Sequence, residues 1–336
     1  MSEQQPKLIF VVGMWRSGTS LLHAMLNQHP GMAVMYEAEP FGLFRLDPDS
    51  IFPEDWPVRL EFFNQAISRH RLDSAALPKK KPGADCLRAM FRAWAARKNA
   101  VVMGGKSPVY HAWLPGIARV FPEADFIIIW RNPLDCCRSA VQAGQQNRFF
   151  NQAGILTRMF FGSAEMAKGL LRLRAAGRRV HELAFNDLLA DPEAELQNIC
   201  DFVGLTFNPQ MLDLQLADYS MVPPGEHHGP ARSGAVQRDR TRTEILAPAF
   251  LAKGRRYFAL WRRNYPDSVF ARTLPDDASV VPPGWFEQFF DRLIYWHWRA
   301  RDHFKRRVLR QIPLGLWVRL RGRPQFVRQA DQDVGP

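Results

Sequence analysis

Residues 8–20 read Leu-Ile-Phe-Val-Val-Gly-Met-Trp-Arg-Ser-Gly-Thr-Ser, and this stretch decides the fold. Five apolar residues in a row, Leu8 to Val12, read as a strand covered on both faces. Gly13 and Gly18 bracket a loop, and a helical pattern opens at Thr19. In such a unit the loop N–H groups point inward and the helix N-terminus adds positive potential, so it binds a phosphate. The spacing is the G-x-x-x-x-G of a P-loop, but Thr19-Ser20 stand where a nucleoside triphosphatase carries Lys followed by Ser or Thr. The cation sits inside the loop instead, at Arg16. That arrangement suits a terminal phosphate better than a metal-bound triphosphate.

Working outward, three more strand-like runs alternate with helical patterns: 100–103, 125–130 and 179–185. Helices are expected over 19–28, 85–98, 111–120, 133–147, 152–176 and 192–203. The fold class is therefore α/β, a central parallel sheet flanked by helices. Residues 41–83 are irregular and hold Lys79-Lys80-Lys81; they are expected to form an insertion over the C-terminal edge of the sheet, on the acceptor side. With 336 residues the chain is expected to divide into a domain over 1–283 and a basic, aromatic extension over 284–336.

The run at 125–130 leads into Trp130-Arg-Asn-Pro-Leu-Asp-Cys-Cys-Arg-Ser139. Pro133 starts a helix, which carries Ser139 about two turns in. Arg131 at the strand end supplies a forked cation and Ser139 a hydroxyl donor, a pair able to make charge-assisted contacts. The competing reading pairs Arg131 with Asp135 at the helix start. Lys106, in Gly104-Gly-Lys-Ser-Pro108, follows the run at 100–103 and is either a site cation or a surface lysine.

These two motifs, in this order, resemble the 5′- and 3′-phosphate-binding motifs of the sulfotransferases that use 3′-phosphoadenosine-5′-phosphosulfate (PAPS). Gly13 to Pro30, with Arg-Ser-Gly-Thr and a downstream His-Pro, is most similar to the protein-tyrosine and bacterial branch of that family. Pro122 to Arg131 and Leu183 to Pro192 also resemble the family, so the likeness spans about residues 7–210, more weakly to 243. It implies a P-loop-like sulfotransferase fold and transfer of a sulfuryl group from PAPS to a hydroxyl, or less readily an amine, with no metal required. It implies that Arg16, Ser17, Gly18, Thr19 and Ser20 hold the 5′-phosphosulfate. Arg131 and Ser139 would then hold the 3′-phosphate, and Lys106 would face the bridging oxygen, with Ser107 in support. Arg232 and Ser233 match loosely a late loop that folds over the nucleotide.

Sulfuryl transfer needs a base for the acceptor and cations on the moving group. Glu37 and Glu39, in Tyr36-Glu-Ala-Glu-Pro40, are the candidate bases; Glu37 occupies the position of the family's catalytic glutamate. An extended segment would turn both carboxylates to one side. His23 and His29 are expected to serve the helix rather than catalysis, with His29-Pro30 ending it.

The net charge is +12, and residues 284–336 alone hold eleven Lys or Arg against five Asp or Glu. A basic balance suits an anionic cofactor, a membrane surface or nucleic acid, and nothing in the chain resembles a nucleic-acid-binding motif. Residues 284–310 read as an amphipathic helix, and Leu314 to Arg321 as a further apolar, basic piece. Such a helix either lies in a membrane interface or packs on the domain with its arginines in water. Cys86, Cys136, Cys137 and Cys200 form no C-x-x-C pair and His227-His228 lack a second ligand cluster, so neither disulfides nor a metal site is expected. The first apolar run is too short for a leader or a span, so a cytoplasmic protein is expected, with contact at the inner face of a membrane through 284–321. The acceptor is a small molecule, lipid or peptide. The competing functions are a P-loop kinase using Mg·ATP, with Ser20 on the metal, and a membrane binder acting through its basic tail.

Overall fold

The computed structural model describes residues 6–37, 83–215, 217 and 245–311, with 302–311 as backbone only. Five parallel strands form one sheet in the order β2-β3-β1-β4-β5: β1 (Lys7–Gly13), β2 (Met32–Tyr36), β3 (Val102–Lys106), β4 (Asp125–Trp130) and β5 (Val180–Ala184). Between and after them run α1 (Thr19–Gln28), α2 (Gly83–Ala96), α3 (Leu114–Val120), α4 (Pro133–Gly144), α5 (Ile155–Ala175), α6 (Phe185–Ala190), α7 (Pro192–Val203), α8 (Pro248–Asn264), α9 (Val269–Arg272) and α10 (Trp285–Gln311).

The pleat explains why the strands are apolar throughout. On β1, Leu8, Phe10 and Val12 enter one core with α2 to α5 and α8, whereas Ile9 and Val11 enter a second core with α1, α6 and α7. β4 divides in the same way, with Phe126, Ile128 and Trp130 facing one core and Ile127 and Ile129 the other. A sheet buried on both faces selects such runs. Because all strands are parallel, the C-terminal ends of β1, β2, β3 and β4 share one edge. β1 is where the chain reverses its direction of travel across the sheet, and ligands bind there in open α/β sheets.

Three expectations need correction. β2, over Met32–Tyr36, is an additional strand that the sequence reading did not resolve, and all five of its residues are buried. The 100–103 strand lies further on, at Val102–Lys106, so Lys106 is its last residue rather than one beyond it. Gly104-Gly105 there is not a terminator: a Cβ on Gly104 would sit 1.9 Å from the Ile9 carbonyl oxygen, so close β1–β3 packing demands glycine. The 111–120 helix is broken into a 3₁₀ turn over Pro108–Ala112 and then α3. The insertion at 41–83, except Gly83, lies outside the described residues, as do Glu39, Arg232, Ser233, His227, His228 and Leu314 to Arg321.

His29 ends α1 as a structural residue. Its Nδ1 accepts from the Gly31 N–H at 2.9 Å, which leaves Nε2 to donate to the Thr206 carbonyl at 2.9 Å. His29→Ala severs this tie between α1 and the loop after α7 and removes both the donor to Thr206 and the acceptor of the Gly31 N–H. A loss of about 1–3 kcal/mol is expected, read by thermal unfolding.

α10 departs from the reading in which the helix packs on the domain through its apolar face. The residue that anchors it is Asp291, only 5% exposed, which accepts from Lys253 Nζ at 2.6 Å and from the Tyr257 hydroxyl at 3.0 Å. Burial and the Asp291 carboxylate together push the Tyr257 phenol far above its usual range, so it remains the donor of that bond. Tyr295 is buried against α5, Arg256 pairs with Glu287 at 2.8 Å, and Arg299 donates to the Ala112 carbonyl at 2.9 Å. Among the described residues, no helix is long and apolar enough to cross a membrane.

Candidate active site

The loop from β1 to α1 is held by backbone strain as well as by glycine. Arg16 has φ 68° and Gly18 φ 97°. The left-handed region costs a non-glycine residue about 1–3 kcal/mol and is tolerated where surrounding contacts impose it. At Gly18 a Cβ would also meet the Phe185 ring at 2.3 Å, so the position is closed to side chains twice over. α1 begins with no side-chain cap and no acid in its first turn. Ser17 is 1% exposed, and its Oγ finds no hydrogen-bond partner among the described residues. A buried hydroxyl without a partner beside an uncapped helix N-terminus is a cradle for an anion.

The two sequence motifs converge on this loop. Arg16 Nε donates to Ser139 Oγ at 3.0 Å, joining residues 123 positions apart. Arg131 donates to the Arg16 carbonyl at 2.7 Å and lies 4.7 Å from the Phe185 ring centroid. Asp135 is bonded to Arg138 one turn along α4, and Asn132 caps that helix through the Leu134 N–H at 2.9 Å. Burial lowers the Arg16 pKa, and the positive charge of Arg131 lowers it further. Two guanidiniums pressed together in a partly dry site repel, and a bound anion relieves that repulsion.

On the other side of the loop, the β2–β3 pairing sets Tyr36 opposite Lys106. Lys106 is fully buried; its Nζ lies 3.5 Å from Glu37 Oε1, 3.3 Å from Ser20 Oγ and 3.8 Å from the Tyr36 ring centroid. An ammonium thus reaches the loop, but from β3 and not from position 19. Ser20 Oγ and the Tyr36 hydroxyl are 3.0 Å apart. Glu37 is held at the strand end, where its N–H donates to the Lys106 carbonyl at 2.7 Å and its φ is 47°. It is therefore not extended, and the expectation that an extended segment aligns Glu37 with Glu39 fails at its first residue. Glu37 keeps about a third of its side chain exposed.

Gly18, Thr19 and Ser20 lie at the N-terminus of α1, as the spacing requires. Ser107 accepts from the Val109 N–H at 3.3 Å, which makes it the cap of the 3₁₀ turn. Tyr36, Phe185 and Phe150, whose ring lies 5.8 Å from the Arg16 guanidinium carbon, are site residues that sequence reasoning missed. Tyr36 carried a usable signal: an aromatic ending a short apolar run, directly before Glu37. All four cysteines are buried and free, and no group of metal-ligating side chains occurs among the described residues.

A buried lysine, a carboxylate and two arginines thus gather around the loop between β1 and α1. The Sulfotransferase family model matches residues 6–209, more than half of the chain, and the chain belongs to that family. It is 26% identical over 210 residues to a Caenorhabditis briggsae protein provisionally named for protein-tyrosine sulfotransfer, covering 61% of this chain and 68% of that one. It is 25% identical over 257 residues to the omega-hydroxy-beta-dihydromenaquinone-9 sulfotransferase Stf3 of Mycobacterium tuberculosis, covering 59% of this chain and 62% of that protein, less than two thirds of its length. Among solved structures, the sulfotransferase domain from the curacin biosynthetic pathway superposes with a TM-score of 0.52 at 18% identity, over 73% of this chain and 93% of that domain, a likeness of fold.

Proposed function

We propose that the chain is a PAPS-dependent sulfotransferase that moves a sulfuryl group to an acceptor hydroxyl. The observation that carries the reading is the cluster at the loop mouth: buried Lys106 Nζ is 3.5 Å from Glu37 and 3.3 Å from Ser20 Oγ at the start of α1. A cation and a carboxylate stand together where the end of a bound anion would lie. In this reading the loop N–H groups, Ser17 and Ser20 hold the 5′-phosphosulfate. Arg131 and Ser139 hold the 3′-phosphate, and Arg16 bridges the two. Arg232 and Ser233 belong to the proposal through the resemblance alone.

Glu37 takes the proton of the acceptor hydroxyl as its oxygen bonds to sulfur. The bond between sulfur and the bridging oxygen breaks, and Lys106 and Arg16 stabilise the charge that grows on the departing phosphate. As in phosphoryl transfer, positioning and charge stabilisation dominate such a displacement. No step in it calls for a metal ion.

Isothermal titration with 3′-phosphoadenosine-5′-phosphate, without metal, tests the donor. Micromolar binding is expected. Arg131→Ala is expected to weaken it by at least tenfold, consistent with about 1.5–3 kcal/mol for a charge-assisted contact. Absence of binding, or equal binding of Mg·ATP, rejects the proposal in favour of a P-loop kinase.

A further inference from the structure

From Trp285 to Trp296 the outward side of α10 is apolar over half its circumference. At 100° per residue, Trp285, Phe286, Phe289, Phe290, Leu293 and Ile294 fall within one half-turn, and each is between 48% and 67% exposed. Trp296, 46% exposed, continues the same face. The opposite side is the one that packs, through Asp291 and Tyr295. A helix stretch that buries Asp291 and turns Trp285, Phe286, Phe289 and Phe290 outward inverts the usual amphipathic arrangement. A contiguous exposed patch of this kind marks an interaction surface.

We propose that this face docks on an anionic lipid bilayer. Three observations select lipid as the occupant. Trp and Phe in one band are the residues that partition into the interface of a bilayer. Exposed Arg292 lies beside one edge of the band and exposed Arg301 just inside the other, and the extension from 284 onward carries a net +6. Each Lys or Arg near an anionic surface adds about 1 kcal/mol of attraction, whereas two copies of the same basic face repel. Third, the band runs into the site. Trp296 and Ala300 also line a cleft of about 380 Å³ whose other walls are Trp15 of the P-loop, His111, Arg158 and Arg299. Docking through α10 therefore brings a cleft lined by Trp15, the chain neighbour of Arg16, close to the bilayer, where it can receive a hydroxyl-bearing amphiphile. The docking itself does not depend on the identity of the sulfuryl donor.

Flotation of the full chain with vesicles of equal parts phosphatidylglycerol and phosphatidylcholine tests this, with phosphatidylcholine vesicles as the control. Binding to the anionic vesicles and at least tenfold weaker partition onto the control are expected, and raised salt should weaken the binding. The triple variant Trp285→Gln, Phe289→Gln, Phe290→Gln is expected to lose partition at least tenfold. Arg292→Glu with Arg301→Glu, a change confined to exposed charges, is expected to lose it without altering the circular-dichroism melting curve. A wild-type chain that stays with the soluble fraction overturns the proposal. So does a wild-type dimer in sedimentation that the triple variant dissociates, since the face is then a contact between copies.

Discussion

Glu37→Gln is expected to lower kcat by about 10²–10⁴-fold while 3′-phosphoadenosine-5′-phosphate binds within about threefold of wild type, because a positioned general base contributes to turnover and not to product affinity. The split follows from where Glu37 stands. Its carboxylate is 3.5 Å from Lys106 Nζ, and its backbone is fixed by the 2.7 Å bond to the Lys106 carbonyl. Glutamine keeps the size of the side chain and suits the same backbone at φ 47°, and it removes the negative charge that faces Lys106 and with it the ability to accept a proton. Release of 3′-phosphoadenosine-5′-phosphate from PAPS, followed with an acceptor that wild type turns over, checks the rate; titration checks the affinity. A kcat within tenfold of wild type removes Glu37 as the base and moves the search to Glu39.

Much of this site was legible because its parts are local. A strand, two glycines and an arginine within the eleven residues 8–18 announce an anion loop, and a strand-end Arg followed by a proline-started helix announces Arg131 and Ser139. What stayed hidden is tertiary. β2 is five residues long and buried on every one, so it has no alternation, and Val34 is its only β-branched residue. Without β2, nothing set Tyr36 beside Lys106, and the aromatic ring under the ammonium went unread. The contact from Arg16 to Ser139 spans 123 residues and has no sequence signature. At α10 the periodicity identified an amphipathic helix but could not say which side packs. That choice rests on Lys253 and Tyr257 meeting Asp291, a buried polar cluster that pattern alone reads as a solvent face.

Lys106→Met separates catalysis from stability most sharply. Lysine is seldom fully buried, and keeping its charge out of water costs several kcal/mol before any partner repays it. Its partners include a carboxylate at 3.5 Å that is itself a third exposed, a hydroxyl at 3.3 Å and the Tyr36 ring at 3.8 Å. Methionine fills nearly the same volume, and Glu37 can turn toward water, so the melting temperature is expected to hold or rise, with a stability change of about 1 kcal/mol or less. Turnover is expected to fall by about 10²–10³-fold, the loss typical of one electrostatic contact to developing charge in a dry site. Lys106→Arg should not restore it, because a planar guanidinium has no room between Tyr36 and Ser20 and cannot act as a compact point charge. A variant that melts as wild type does and yet turns over normally would make Lys106 a packing residue that happens to be charged. A variant that melts normally but has lost turnover shows the opposite: a buried charge kept at a cost to the fold because the reaction needs a cation at that place.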